Sequence, residues 1–363
     1  MSRLRSVQTL IASIVLLLVV ALVGTGASIS TQQDFITTLV SATIVYALYI
    51  FVGNSGVISF GHISFAAIGA FAAGVMTIPT QPKHFVLPGL WSFIANHSIS
   101  NNASLVLAAA LGMIIALIVG FPLMRLSGIA AGIGTFAVLE ITNNVLNQWT
   151  KIGPGPTTLS LVPVSTGIWE ALGAAVFSAV VAFLYQSSRR GRLLRASRED
   201  PGAAQAIGVN VFRERLVAFG LSGAIAGLGG AMLVHQLGAI TTDQVFLELT
   251  FLTLAMLVIG GSASLWGATV GAVVVSLVNA FLSTATNGIH VVFFKLTLPS
   301  GASDLILGIL MAAMLLFRPQ GLTGGREFSL GFVGRIRARR ASTPHDLEPT
   351  VGSQDPSWPP PTS

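Results

Sequence analysis

Long apolar blocks alternate with short polar breaks along almost the whole chain. A helix needs about 20 predominantly apolar residues to cross a bilayer, and ten blocks reach or approach that length. The breaks are rich in glycine and proline, and several blocks are short. The pattern therefore predicts an all-α, polytopic membrane protein with about ten transmembrane helices and broken, Gly-rich spans. The predicted spans are 7–27, 36–53, 60–79, 103–124, 128–147, 167–186, 214–236, 247–261, 266–286 and 303–317.

Composition supports a membrane location for most of the 363 residues. Hydrophobic residues make up 53% of the chain and charged residues only 9%, against about 25% charged in an ordinary soluble domain. The basic excess lies in loops and tail, so it indicates membrane orientation and contact with lipid, and no nucleic-acid partner is expected. The chain has no cysteine, and its six histidines are scattered, so no metal site is predicted.

The positions of the basic residues predict the orientation. If the N-terminus is cytoplasmic and the ten spans are counted in order, all sixteen arginines fall on the cytoplasmic side and all three lysines on the other side. Arginine and lysine accumulate in cytoplasmic loops, so this partition predicts that both termini are cytoplasmic. It depends on dividing 247–286 into two spans at Gly260–Gly261–Ser262.

Three segments are expected from this count. Residues 1–30 form an N-terminal transmembrane helix, for which a cleaved signal peptide is the alternative. Residues 31–325 form the main multi-span membrane domain, with a cytoplasmic loop at 187–215. Residues 326–363 form a cytoplasmic tail that is first basic and then rich in Pro, Ser and Thr, a composition typical of disorder.

The cytoplasmic loop holds a short helix pattern among its arginines. Glu199 and Asp200 precede an alanine-rich run that ends at Gly208. Acidic residues at the start and a glycine at the end predict a two-turn helix there. A solvated loop with a positive-inside bias would explain the arginines but not this helix.

These residues carry a resemblance to a known family. The loop matches a pattern of the form Arg-x-Asp/Glu-x-x-Ala-Ala-x-x-x-Gly, and the chain resembles branched-chain amino acid ABC transporter permeases of the LivM type over about residues 35–325. Further matching stretches lie at 56–62, 134–141, 260–267 and 317–322. The resemblance implies that the loop is a coupling helix that docks on an ATP-hydrolysing subunit. Its candidate coupling residues are Arg198, Glu199, Asp200, Ala203, Ala204 and Gly208.

The resemblance also implies partners and a location. They are two ATP-binding subunits, a second permease subunit in a heterodimer, and an extracytoplasmic solute-binding protein, all at a bacterial inner membrane. No lysine follows a glycine, so the chain lacks a phosphate-binding loop and is not expected to be an enzyme. It should bind no cofactor, and ATP and magnesium belong to the partner subunits. The implied cargo is a branched-chain or other neutral amino acid, with urea or short amides as the alternative.

Polar and glycine residues inside the apolar blocks are the candidate translocation pathway. Glycine breaks can unwind a helix and expose half-helix dipoles to a ligand, and an ionisable residue inside a span is a functional candidate. For the histidine and the glutamate, a purely structural hydrogen bond is the competing interpretation. The candidates are Gly53, Asn54, Ser55, Gly56, Ser59, His62, Glu140, Gly260, Gly261 and Ser262.

A stand-alone secondary transporter or channel is the alternative from a different class. Such a protein should carry several buried ionisable residues for ion coupling, whereas Glu140 is almost alone in the predicted spans. It would also leave the loop pattern from Arg198 to Gly208 without a purpose.

Overall fold

The fold was analysed in a computed structural model, which describes residues 2–126, 128–286, 289–291, 294–296, 302–318, 320–325 and 327. These residues are almost entirely helical. The helices are α1 (Ser2–Thr25), α2 (Ile29–Leu48), α3 (His62–Thr77), α4 (Thr80–Val86), α5 (Ser92–Ala95), α6 (Asn101–Leu123), α7 (Gly128–Gln148), α8 (Ile168–Ser187), α9 (Arg189–Glu199), α10 (Pro201–Ala206), α11 (Val211–Leu237), α12 (Leu247–Gly260), α13 (Leu265–Thr286) and α14 (Ala302–Phe317).

Two further helical segments and two strands complete the described part. A π-helical turn, Tyr49–Gly53, continues α2 without a break, and a 3₁₀ turn, Asp243–Val245, precedes α12. Strands β1 (Ile289–Val291) and β2 (Phe294–Leu296) pair antiparallel, with Ile289 opposite Leu296. The hairpin lies in the connection between the last two predicted spans.

The helices confirm the predicted membrane architecture. By length and composition, eight helical segments of the described chain could cross a membrane, and α3 is a shorter apolar helix of 16 residues. Together with α14, every one of the ten predicted blocks contains a helix. The division of 247–286 is also present, because α12 ends at Gly260 and α13 begins at Leu265. The second span begins at Ile29 instead of residue 36, because polar residues at its start extend the helix beyond the apolar block.

Helix α11 lies at the centre and packs against α6, α3 and α2. The side of α6 that faces it is a stripe of small residues at every fourth position: Ser104, Ala108, Gly112, Ala116 and Gly120. A Cβ added to Gly223 of α11 would lie 2.6 Å from the carbonyl oxygen of Gly112. Small residues let helix backbones touch in this way, so the glycines of α11 serve close packing.

Burial separates central helices from peripheral ones. Every residue from Thr38 to Ser55 is buried, so α2 is surrounded by other helices. Helices α6 and α7 instead bury narrow stripes and expose broad apolar faces. In a membrane protein such faces contact lipid or another subunit.

Lys83 holds the short helices between α3 and α6 together. Its side chain is fully buried, and its ammonium donates hydrogen bonds to the carbonyl oxygens of Ile94 (3.3 Å) and His97 (2.6 Å). Burial lowers the pKa of Lys83. The Lys83 ammonium therefore holds α4 against α5 by binding backbone carbonyls in α5 and just after it.

All described residues belong to one compact unit, Met1–Phe328. Within it, α1 packs against α2, α8 and α13. The predicted basic stretch and disordered tail beyond residue 328 lie outside the described residues.

Candidate functional site

The loop predicted to couple the chain to an ATPase forms two helices. Ser188 caps α9 by accepting a hydrogen bond from the Gly191 N–H (3.1 Å), and Asp200 caps α10 by accepting one from the Ala203 N–H (2.9 Å). Pro201 occupies the first turn of α10, which is the position that proline prefers. Gly208, with φ of +87°, follows the end of α10.

One part of the loop prediction was wrong. Glu199 was placed at the start of the short helix beside Asp200, but it is the last residue of α9. The reason is Pro201, which disfavours helical geometry at the residue before it. Asp200 is accordingly extended, with φ of −143° and ψ of 97°, and separates the two helices.

The surface of α10 is exposed except at one residue. Ala204 is buried, whereas Ala203, Ile207 and the neighbouring Asp200 are exposed. Ile207 is 81% exposed. The loop thus presents both charge and an apolar side chain outwards.

Arg195 of α9 connects this loop to the end of α2. Its Nε donates to Asn54 Oδ1 (2.8 Å), and one terminal nitrogen donates to the Tyr49 hydroxyl (2.7 Å) and to Gln186 Oε1 (2.8 Å). The Tyr49 hydroxyl in turn donates to Gln186 Oε1 (2.5 Å). We call these four residues the Arg195 network. Because its arginine is charged and its partners are buried, these bonds are stronger than ordinary neutral ones.

The first glycine break lies beside the same helix. Gly56 has φ of +72°, a left-handed conformation that glycine adopts without steric cost. A Cβ at this position would come within 2.7 Å of Arg198 Cγ, so the Arg198 side chain lies directly against Gly56. Residues 54–56 are therefore contacted by α9 at both Arg195 and Arg198.

The second glycine break meets the first. A Cβ added to Gly53 would lie 2.8 Å from the Ser262 carbonyl oxygen, so the end of α2 touches the turn between α12 and α13. Gly261 has φ of +118°, and Gly260 packs against Gly271, whose Cα would lie 2.7 Å from an added Cβ. The structure thus brings the two predicted breaks together at the end of the molecule that carries the arginine loop.

Glu327 closes this end of the structure. Its carboxylate accepts hydrogen bonds from the N–H groups of Leu265 (3.2 Å) and Trp266 (3.4 Å) at the start of α13. Burial raises the pKa of Glu327, while these bonds and the nearby Arg195 partly oppose the shift. A residue beyond the last span thereby accepts hydrogen bonds from backbone N–H groups that have no partner within α13.

His62 and Ser59 lie in the connection from the first break to α3. The Ser59 hydroxyl and His62 Nδ1 are 2.8 Å apart, and His62 is buried against Phe51 and Phe219, with ring centroids 5.4 and 5.2 Å away. His62 Nε2 has no hydrogen-bond partner among the described residues. Apolar rings surround this side chain, and its role in a translocation pathway stays a prediction.

Glu140 begins a polar stripe on the surface of α7. It is exposed on α7, and its carboxylate accepts a hydrogen bond from Asn144 Nδ2 (2.9 Å) one turn later. Asn144 and Gln148 continue this polar stripe and help to line a surface cavity of about 400 Å³. The stripe lies on a helix whose other exposed positions include Ile133 and Ile141. Its role in a pathway stays a prediction.

Sequence reasoning missed three members of the Arg195 network: Arg195, Tyr49 and Gln186. Arg195 lies among several arginines between Arg189 and Arg198, and the positive-inside rule accounts for all of them without a specific contact. A usable signal was present in α2, because two of the three tyrosines of the chain stand one helical turn apart at Tyr46 and Tyr49. Within the described ranges, no group of three or more His, Asp or Glu side chains could hold a metal ion.

Comparison with known proteins identifies the family. Residues 34–315 match the family described as "branched-chain amino acid transport system / permease component". The chain belongs to this family. It is thus a multi-pass membrane protein and a component of a transport system.

Similar curated proteins agree with this assignment. The high-affinity branched-chain amino acid transport system permease protein LivM of Salmonella typhimurium is 27% identical over 319 residues, which cover 78% of this chain and 68% of LivM. LivM of Escherichia coli K12 is 26% identical over the same length. The autoinducer 2 import system permease protein LsrC of Shigella flexneri is 27% identical over 241 residues, covering 64% of this chain and 68% of LsrC. No solved structure matches the chain.

Proposed function

We propose that this family member is the transmembrane permease subunit of an ATP-driven importer for branched-chain or other neutral amino acids. The observation that carries the proposal is the Arg195 network, which joins the loop helix α9 to the end of α2 at Asn54. A loop that docks on an ATPase needs a stiff connection to the spans that it moves. The charged hydrogen bonds of Arg195 supply such a connection.

The orientation that we propose is supported by the same end of the molecule. The arginine loop, the two glycine turns and Glu327 lie together, and the positive-inside rule places such an arginine-rich end in the cytoplasm. The glycine turns then form the cytoplasmic end of the permease, where α9 contacts both Asn54 and Gly56. The proposed role of these turns is to change conformation when the loop moves, at the cytoplasmic end of the translocation pathway.

The exposed surfaces of α10 and α7 suggest two of the partners. Asp200 and Ile207 of the loop are available for an ATP-binding subunit. The polar stripe of Glu140, Asn144 and Gln148 is costly against lipid, so a second permease subunit is proposed to cover it. A second ATP-binding subunit and an extracytoplasmic solute-binding protein complete the proposed importer at a bacterial inner membrane. ATP and magnesium are assigned to the ATP-binding subunits.

The cargo class rests on similarity to relatives. Two of the relatives are named for branched-chain amino acids and one for autoinducer 2. A branched-chain amino acid is therefore the first cargo to test, and urea and short amides are the alternatives.

Reconstitution in liposomes tests the function. The chain is assembled with candidate ATP-binding, permease and solute-binding proteins of the same organism, and uptake of labelled leucine is measured with and without ATP on the side of the ATP-binding subunits. Uptake should require ATP and the binding protein and should survive an ionophore that collapses ion gradients. Leucine uptake by this chain alone, abolished by the ionophore, would establish a secondary transporter instead. ATP-dependent uptake of urea but not leucine would correct the cargo alone.

A further inference from the structure

A second cavity lies where α6, α10 and α11 meet. It has a volume of about 490 Å³, and its lining residues are Met124, Arg125, Pro201, Gln205, Val211, Phe212 and Arg215. We call it the two-arginine cavity. The lining contains two guanidinium groups and, among the described residues, no carboxylate. Two cations without a facing anion repel each other, so the cavity favours an anionic occupant.

Aromatic rings hold one of the two arginines in place. The Arg125 guanidinium lies 4.9 Å from the ring centroid of Phe121 and 5.8 Å from that of Phe212. Cation–π contacts use the faces of the guanidinium and leave its edge N–H groups free to donate hydrogen bonds. Arg125 is therefore fixed in position with its donors available.

The other arginine has a donor that nothing satisfies. Arg215 Nε is buried, and it has no hydrogen-bond partner among the described residues. Arg215 also lines the cavity, and a phosphate diester offers a guanidinium several acceptor oxygens together with a negative charge.

An apolar surface leads to the cavity from the membrane. Ile114, Ile118 and Phe121 are 50%, 66% and 51% exposed, and their spacing of four and three residues places them along one face of α6 that points towards Arg125. An acyl chain could lie along this stripe while its headgroup reaches the arginines. Neither a soluble phosphate nor an acidic protein side chain would need such a stripe.

From these observations we infer that the two-arginine cavity binds the headgroup of an anionic phospholipid of the inner leaflet. The bound lipid contacts α10 through Pro201 and Gln205, so it supports the loop that the proposed function assigns to ATPase docking. The inference rests on the proposed cytoplasmic orientation and not on the cargo. Each basic residue near an anionic surface contributes about 1 kcal/mol, a factor of about five in binding.

Native mass spectrometry of the full-length chain in detergent tests the inference. Phosphatidylglycerol and phosphatidylethanolamine with identical acyl chains are added in turn, and the bound lipids are counted. Wild-type protein should retain one phosphatidylglycerol that R125Q/R215Q binds about 25-fold more weakly, and neither should show this site for phosphatidylethanolamine. The matched control is R189Q/R192Q, which removes two exposed arginines of α9 and should bind like wild type.

Three outcomes would overturn the inference. They are equal phosphatidylglycerol binding by wild type and R125Q/R215Q, equal binding of the two lipids by wild type, and full displacement of phosphatidylglycerol by excess inorganic phosphate. If R125Q/R215Q fails to fold, R125Q alone changes an exposed side chain and should weaken binding about fivefold. If lipid binding is unchanged but the ATP-binding subunits no longer co-purify with the variant, the cavity is a subunit contact. Liposome uptake of leucine is a separate measurement, so its failure leaves the lipid result intact.

Discussion

Replacing Arg195 by methionine should destabilise the chain by about 2–3 kcal/mol. Methionine keeps an unbranched stem of similar width but removes all the donors of the guanidinium. Three hydrogen bonds then disappear, to Asn54, Tyr49 and Gln186. Their loss is not equally serious, because the acceptor atoms of Tyr49 and Gln186 still take part in a hydrogen bond to each other, whereas Asn54 Oδ1 does not.

The magnitude follows from what remains after the substitution. The Tyr49 hydroxyl still donates to Gln186 Oε1, so these two side chains continue to satisfy each other. Asn54 is fully buried, and its Oδ1 has no other partner among the described residues. An unsatisfied buried acceptor costs about 1–3 kcal/mol. Most of the expected effect therefore comes from Asn54.

A double-mutant cycle isolates this bond. The free energy of unfolding of purified wild type, R195M, N54A and R195M/N54A is measured by denaturant titration followed by circular dichroism. Removing Oδ1 in N54A abolishes the acceptor that R195M leaves unpaired, so the two changes should couple by about 1–2 kcal/mol. The control is R192M on the same helix, an exposed position where the change should stay within about 0.5 kcal/mol.

The same variants examine the coupling role. In the assembled importer, R195M should lower transport and substrate-stimulated ATP hydrolysis together, whereas R192M should leave both unchanged. Additive effects in the cycle would show that Arg195 and Asn54 are energetically independent. Normal transport by a folded R195M would refute the role of the network in transmitting movement from the loop.

Four further expectations concern single positions. D200N keeps an N-cap oxygen for the Ala203 N–H and D200A does not, so only D200A should lower the free energy of unfolding, by about 1 kcal/mol, as followed by circular dichroism. Equal losses of coupled ATP hydrolysis in both variants would assign the function to the charge. G56A should lower the free energy of unfolding by about 1–2 kcal/mol, and G56N should lower it less, because asparagine tolerates a positive φ. Equal losses in the two variants would show that the contact with Arg198 is the cause instead. Burial raises the pKa of Glu327, so the native state holds this proton more tightly than the unfolded state does. Wild type should therefore lose stability relative to E327Q as pH rises above the ordinary carboxyl pKa of about 4. Melting temperatures that change with pH in parallel in the two proteins would contradict the shift. A single cysteine at Ala196, on the exposed side of α9, should not react with an impermeant thiol reagent in intact cells, whereas a single cysteine at Thr158 should react. The reverse result would show that the proposed orientation is inverted.

The helical architecture could be predicted because apolar length alone decides whether a segment can cross a bilayer. The glycine break, rather than apolar length, predicted the division at Gly260, which the structure shows between α12 and α13. Span ends were less predictable, since the polar start of α2 forms helix without being apolar. The tail that the composition predicts to be disordered lies outside the described residues.

The site was harder to predict because its contacts join residues far apart in sequence. Glycine patterns led to Gly53 and Ser262, and the structure places them side by side. No pattern in the sequence connects Arg195 with Asn54, which are 141 residues apart. Local chemistry also separates Glu199 from the short helix, because Pro201 keeps Asp200 extended and α9 therefore ends at Glu199.

The backbone contacts among α3, α6 and α11 have a mechanical consequence. Helices separated by a layer of side chains can slide, because rotamers change as the ridges pass one another. A Cβ added to Gly69 of α3 would come within 2.6 Å of the Cα of Gly227, so hardly any side-chain layer separates these helices at that point. Sliding here would push one backbone into another. These three helices should therefore move as a single block, and deformation during a transport cycle is left to helices such as α7, which pack less closely.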